Sequence, residues 1–155
     1  PIFEAARARD IPSVVDPKRR NFFAFSGVTV LKPNAKELED ALGAFIHPDD
    51  ADWMARTRED LGCEHLLLTL GERGMALEAE GTGHVLVPTA ARAVYDVSGA
   101  GDTVTAVVAT VLAAGGSPVE AAELANHAAA VEVGKTGVAT VSPQEILDHI
   151  EAHLH

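Results

Sequence analysis

Apolar residues recur along this chain with two different periods. Short apolar runs end in turn residues: Ser13-Val14-Val15-Asp16 stops at Asp-Pro, and Val28-Thr29-Val30-Leu31 runs into Lys32-Pro33-Asn34. Both read as buried strands. His65-Leu66-Leu67-Leu68-Thr69-Leu70 is apolar almost without interruption, the mark of a strand covered on both faces. Between the runs lie helical stretches. Asn34 is an N-cap for a helix over 35–42, with Glu37 placed for a capping box and Gly43 as the stop. The acidic cluster Asp49-Asp50-Ala51-Asp52 starts a second helix that runs through Leu61 to Gly62. Ile2-Phe3-Glu4-Ala5-Ala6-Arg7-Ala8-Arg9 reads as the end of a helix already under way, so a piece of a longer chain is expected.

The middle of the chain changes character. Gly71-Glu72-Arg73-Gly74 turns into a run over 75–79, and Gly81-Thr82-Gly83 turns into another over 84–87, which predicts a β-meander. From Ala100 onward the reading is helical: 100–114, then 118–133 with Pro118 in its first turn, then Pro143 to the C-terminus. One α/β domain over residues 1–155 is expected, its sheet mainly parallel and lying between helices.

Composition narrows the function. At 47% hydrophobic and 23% charged, the 155 residues are those of a globular domain. A net charge of -11 argues against a nucleic-acid partner, so any phosphate must be held locally. The single cysteine, Cys63, excludes an intrachain disulfide. No apolar run reaches the roughly 20 residues of a bilayer span, so no membrane partner is expected and the cytoplasm is the expected location.

The 100–114 helix carries Val104, Val107, Val108, Val111 and Leu112, and its polarity is gathered at its start, in Asp96-Val97-Ser98-Gly99-Ala100-Gly101-Asp102-Thr103. Glycines before a buried helix leave N–H groups free and, with the helix dipole, form an anion site. A carboxylate inside such a site repels the anion it is built for. Asp102 then fits a general base beside a transferred phosphoryl group, or a first-turn acid that only complements the dipole. A dinucleotide fingerprint fails because Val104 stands where the third glycine is needed. A P-loop ending at Gly134-Lys135-Thr136 fails because its first glycine would fall at Ala129, within a helix.

The run from Asp96 to Thr103 resembles the C-terminal signature of the ribokinase-like (PfkB) carbohydrate kinases. Three further pieces match in order: Pro33-Asn34-Ala35-Lys36-Glu37, Thr69-Leu70-Gly71-Glu72-Arg73-Gly74, and Ala125-Asn126-His127-Ala128-Ala129-Ala130 with Gly134 and Gly137. The resemblance implies the C-terminal part of a ribokinase-like three-layer α/β/α sandwich. It also implies ATP and a sugar or sugar phosphate as substrates, with Mg²⁺ as cofactor. By position, Gly99, Ala100, Gly101 and Asp102 would supply the anion hole, with Asp102 as base. Asn34 and Glu37 would place Mg²⁺ through water, Thr69 and Gly71 would line the nucleotide, and Asn126 would lie near the adenine. Lys32 would reach an ATP phosphate, or else be a solvated strand-end lysine. Asp96, Ser98, Val133 and Gly137 would form the K⁺ site that some members have.

Within the family, the stretch 94–104, with Val104 where most members have Phe, resembles the heptose 7-phosphate kinases of ADP-heptose synthesis. So do Val133-Gly134-Lys135-Thr136-Gly137, Thr140-Val141-Ser142-Pro143 and Asp16-Pro17-Lys18. A non-catalytic nucleotide-binding module and a ligand-free remnant are the alternatives, and a cut sheet edge invites homo-oligomers. His149 and His153 sit four apart on the last helix, as a metal pair would, but sequence spacing supplies no third ligand. His127, next to Asn126, reads as a packed or solvated helix histidine or as a neighbour of the adenine.

Overall fold

The structure, a computed structural model, describes residues 2–94, 97–137 and 139–154, and only the backbone of Arg19. After helix α1 (Ile2–Arg7) come strands β1 (Val14–Val15) and β2 (Val30–Leu31). Helices α2 (Ala35–Leu42) and α3 (Ala51–Leu61) follow, then strands β3 (His65–Thr69), β4 (Met75–Ala79) and β5 (Gly83–Val87). The chain closes with helices α4 (Ala100–Ala113), α5 (Pro118–Val133) and α6 (Pro143–Leu154).

Local chemistry explains several boundaries. The Asn34 side chain accepts from the Glu37 N–H at 2.8 Å while a Glu37 carboxylate oxygen accepts from the Asn34 N–H at 2.9 Å, so α2 starts on the expected capping box. Gly43 and Gly62 end α2 and α3 at φ 63° and 66°, a region that only glycine enters cheaply. β2 is shorter than the apolar run suggests. Ser13 and Thr29 exchange N–H-to-hydroxyl bonds of 3.0 Å each, so side chains replace the ladder there and strand pairing begins one residue later.

The five strands lie in sequential order and form a mixed sheet. β1, β2 and β3 are parallel, whereas β3, β4 and β5 form the antiparallel meander, so the parallel part is confined to one half. Among the described residues β1 and β5 are the edges.

Alternate residues of the central strands feed two cores. Leu66 and Leu68 on β3 and Ala76 on β4 pack with Leu38 of α2 and with Met54 and Leu61 of α3. Leu67, Met75 and Leu77 point the other way, onto Val104 and Val108 of α4 and Ala121, Ala122 and Ala125 of α5. The result is a three-layer α/β/α arrangement. Each buried leucine of β3 contributes about 1.5–3 kcal/mol, which is why a strand this apolar sits at the centre. No described helix is long and apolar enough to cross a membrane.

Candidate functional site

Side chains that follow the parallel strands gather at one end of the sheet, where α/β folds hold ligands. Asp16 follows β1, Lys32 follows β2, and Thr69 closes β3. With Lys18, Asn34, Glu37, Gly99, Gly101 and Asp102 they line a polar cavity of about 310 Å³. Asn34, Thr69 and Gly101 also line a second cavity, of about 500 Å³. That one is mostly apolar, walled by Met75, Val94, Val97, Val104, Ala129 and Val133, with Gly71 at its rim. The two cavities are therefore contiguous, one apolar and one charged.

Lys32 is the least solvated charge in this region, its side chain only 3% exposed. Its ammonium lies 3.5 Å from Asp16, and a Cβ added to Gly101 would come within 3.7 Å of it. Burial rules out the solvated-lysine alternative and aims the charge at the first turn of α4. Asp16 also accepts from Lys18 at 3.0 Å, and Lys18 lies 3.3 Å from Glu37. The Lys18 ammonium is pushed up from its ordinary pKa, mainly by its hydrogen bond to Asp16.

At the start of α4, Gly99 takes φ 92° as N-cap. The N–H groups of Asp102 and Thr103 both turn to the Gly99 carbonyl, at 2.9 and 3.0 Å, and Ala100 N–H makes a longer 3.4 Å bond to Val97. The turn is tight, with Gly99, Gly101 and the solvent-exposed Asp102 facing the polar cavity.

The residues singled out from sequence are thus brought together in two connected compartments, with three qualifications. Asn126 lines the apolar cavity and is itself buried and bonded: its Nδ2 donates to the Pro88 carbonyl at 2.7 Å, and its Oδ1 accepts from Ala90 N–H at 3.4 Å. It pins the segment after β5 that carries Thr89 and Ala91 into the cavity wall. His127 does not line this cavity; it lines a further one beside α6, which meets the apolar cavity at Thr89 and Asn126. Of the monovalent-cation set, Val133 lines the apolar cavity, Ser98 is exposed and Gly137 takes φ 74°, while Asp96 lies outside the described residues.

Sequence reasoning assigned no role to Asp16 or Lys18. The available signal was position: each directly follows, or nearly follows, the end of a parallel strand.

Comparison with known proteins agrees with this architecture. The chain is 46% identical over 150 residues to the bifunctional protein HldE of Pelobacter propionicus, covering 94% of this chain and 30% of that protein. It is 48% identical over 144 residues to the HldE of Geobacter sulfurreducens, covering 92% and 29%. The chain thus spans about 30% of the length of these relatives. Among solved structures, Arabidopsis thaliana ribokinase complexed with ribose and ATP superposes with TM-score 0.81 at 24% identity, over 97% of this chain and 51% of that one. Escherichia coli phosphofructokinase-2 in complex with potassium gives TM-score 0.82 at 19% identity, over 99% and 51%. Residues 2–145 match the model of the pfkB family carbohydrate kinases, and the chain belongs to that family.

Proposed function

We propose that this chain is the nucleotide-holding, catalytic portion of an ATP-dependent kinase acting on a sugar or sugar-phosphate hydroxyl, and that the acceptor is a heptose 7-phosphate. One observation carries the reading: an apolar slot of nucleoside size opens, through Asn34, Thr69 and Gly101, into a polar cavity that holds both the buried Lys32 and Asp102. The likeness to HldE proteins supports the choice of acceptor.

In this reading the nucleoside lies against Met75, Val104 and Ala129, and the phosphates pass Thr69 and Gly101 into the polar cavity. The positive end of α4 and the Lys32 ammonium stabilise charge developing on the transferred phosphoryl. Asp102 accepts the proton of the attacking hydroxyl as the in-line transfer proceeds.

The oxygen-rich set of Asp16, Asn34 and Glu37 fits Mg²⁺ held through water, with Lys18 exposed enough to swing aside. When bound, Mg²⁺ neutralises phosphate charge. A monovalent cation at Asp96, Ser98, Val133 and Gly137 belongs to the proposal too, and the phosphofructokinase-2 structure with potassium supports it.

The test is calorimetric titration with Mg·ATP alongside turnover of the complete protein on heptose 7-phosphate. Asp102→Asn is expected to keep ATP binding while slowing turnover about 10²–10⁴-fold, the range of a general base. Asn34→Ala should weaken nucleotide binding. A folded sample that binds no ATP, or an Asp102→Asn enzyme with undiminished turnover, refutes the reading.

A further inference from the structure

The last two helices bring together three histidines that lie outside the nucleotide cavities. His149 and His153 share one face of α6 at the i, i+4 spacing that lets two imidazoles grip one metal ion. The third member comes from α5: His127 Nδ1 lies 2.9 Å from His149 Nδ1. One ring nitrogen of each of the three falls within 4.8 Å of the others. Tetrahedral ligation at 2.0–2.1 Å per bond sets nitrogens about 3.3 Å apart, so closure requires movements of roughly 1.5 Å or less, within reach of side-chain rotation.

We propose that His127, His149 and His153 form a binding site for a borderline divalent metal ion such as Zn²⁺, which clips α6 to α5.

Three imidazoles suit Zn²⁺, Ni²⁺ or Cu²⁺ rather than Mg²⁺ or Ca²⁺, which take oxygen donors. Each ring has a nitrogen to offer. His153 Nδ1 donates to the His149 carbonyl at 3.0 Å, which fixes its tautomer and leaves Nε2 as the ligand atom. Burial pushes the pKa of both His127 and His149 below the ordinary histidine value, and the neighbouring His153 adds to the effect.

Access and charge also fit. A cavity of about 530 Å³, lined by Glu123, His127, Ile150 and His153 among others, opens beside the cluster. Glu123, one helical turn before His127, adds negative charge on the approach side.

The fold gives such a clip something to do. α6 has no fully buried residue. Besides the His127–His149 contact, its polar anchors to the rest of the chain include Lys135–Glu145 at 2.6 Å near its start and Arg92 to the Ala152 carbonyl at 3.1 Å near its end. A metal at the three histidines would fix the helix between those points.

The experiment is titration of the metal-stripped protein with Co²⁺ and then Zn²⁺, reading visible absorbance and heat, with thermal unfolding in parallel. Expected are one equivalent of Co²⁺ with the strong visible bands of a tetrahedral ion, displacement by Zn²⁺, and a raised midpoint of unfolding. His127→Asn, His149→Asn and His153→Asn should each weaken binding by about tenfold or more, since even residues that only orient metal ligands are worth 10–100-fold. His47→Gln, which replaces a histidine packed on Trp53 far from the cluster, should bind as the parent does. His153 is exposed, so its replacement tests the site without threatening the fold. Absence of saturable binding, an octahedral Co²⁺ spectrum, or an isotherm that survives His127→Asn or His153→Asn overturns the proposal.

Discussion

Gly101→Ala separates stability from function at the start of α4. Gly101 is the second residue of the helix and does not adopt a left-handed conformation, so alanine fits its backbone. The added Cβ would meet, among the described residues, only the Lys32 ammonium, at the ordinary van der Waals distance of 3.7 Å. Glycine-to-alanine exchange in a helix is worth about 0.5–1 kcal/mol through the reduced freedom of the unfolded chain. For a domain of this size that raises the melting temperature by about 1–4 °C. Function should move the other way. A phosphoryl oxygen bonded to Lys32 must sit about 2.7–2.9 Å from the ammonium, in the space the new methyl claims. Displacing the reacting group by about 1 Å lowers the rate roughly 10²-fold.

Differential scanning fluorimetry and coupled ADP release on the complete protein read both quantities. Gly99→Ala is the internal contrast, because φ 92° makes alanine strained there by about 1–2 kcal/mol. If Gly101→Ala lowers the melting temperature, the packing argument fails. If it stabilises the protein and leaves turnover unchanged, the phosphoryl group does not pass between Lys32 and α4.

Three other outcomes are expected. Leu67→Ala, which empties a fully packed position between β3 and the α4–α5 layer, should destabilise by about 2–5 kcal/mol in urea unfolding. Asn126→Ala orphans the buried Ala90 N–H and the Pro88 carbonyl; it should cost about 1–3 kcal/mol and weaken ATP binding as the cavity wall loosens. Glu145 is held down to about 2, first by its hydrogen bond to Lys135 and then by the Ser142 N–H. A depressed carboxylate stabilises above its unfolded pKa and loses that contribution as pH falls through the folded one. Docking of α6, followed by amide exchange, should therefore loosen between about pH 4.5 and 2, and Lys135→Met should move the loss to higher pH.

What the sequence determined by itself was whatever chemistry acts over one helical turn or along one strand. The Asn34–Glu37 capping box, the Gly43 and Gly62 stops and the place of Pro118 in the first turn of α5 depend on residues within one helical turn of each other, so spacing alone predicts them. The nearly unbroken apolar run of β3 announced a strand covered on both faces, because successive strand residues point to opposite faces and three consecutive leucines then leave water only if both are covered. The glycine-bounded Asp102 marked the candidate site for the same local reason, its helix start being written in adjacent residues.

Tertiary structure decided how distant pieces meet. Asp16, Lys18 and Lys32 become one charged group only because β1 and β2 are parallel neighbours ending at the same level. Asn126 is placed near the adenine only by resemblance, and its buried bonds to the segment after β5, 36 to 38 residues away, exist only once α5 is laid against that segment. His127 joins His149 across 22 residues because α6 folds back onto α5. Contacts of that kind depend on which faces the two cores bury, and no residue spacing within one element encodes them.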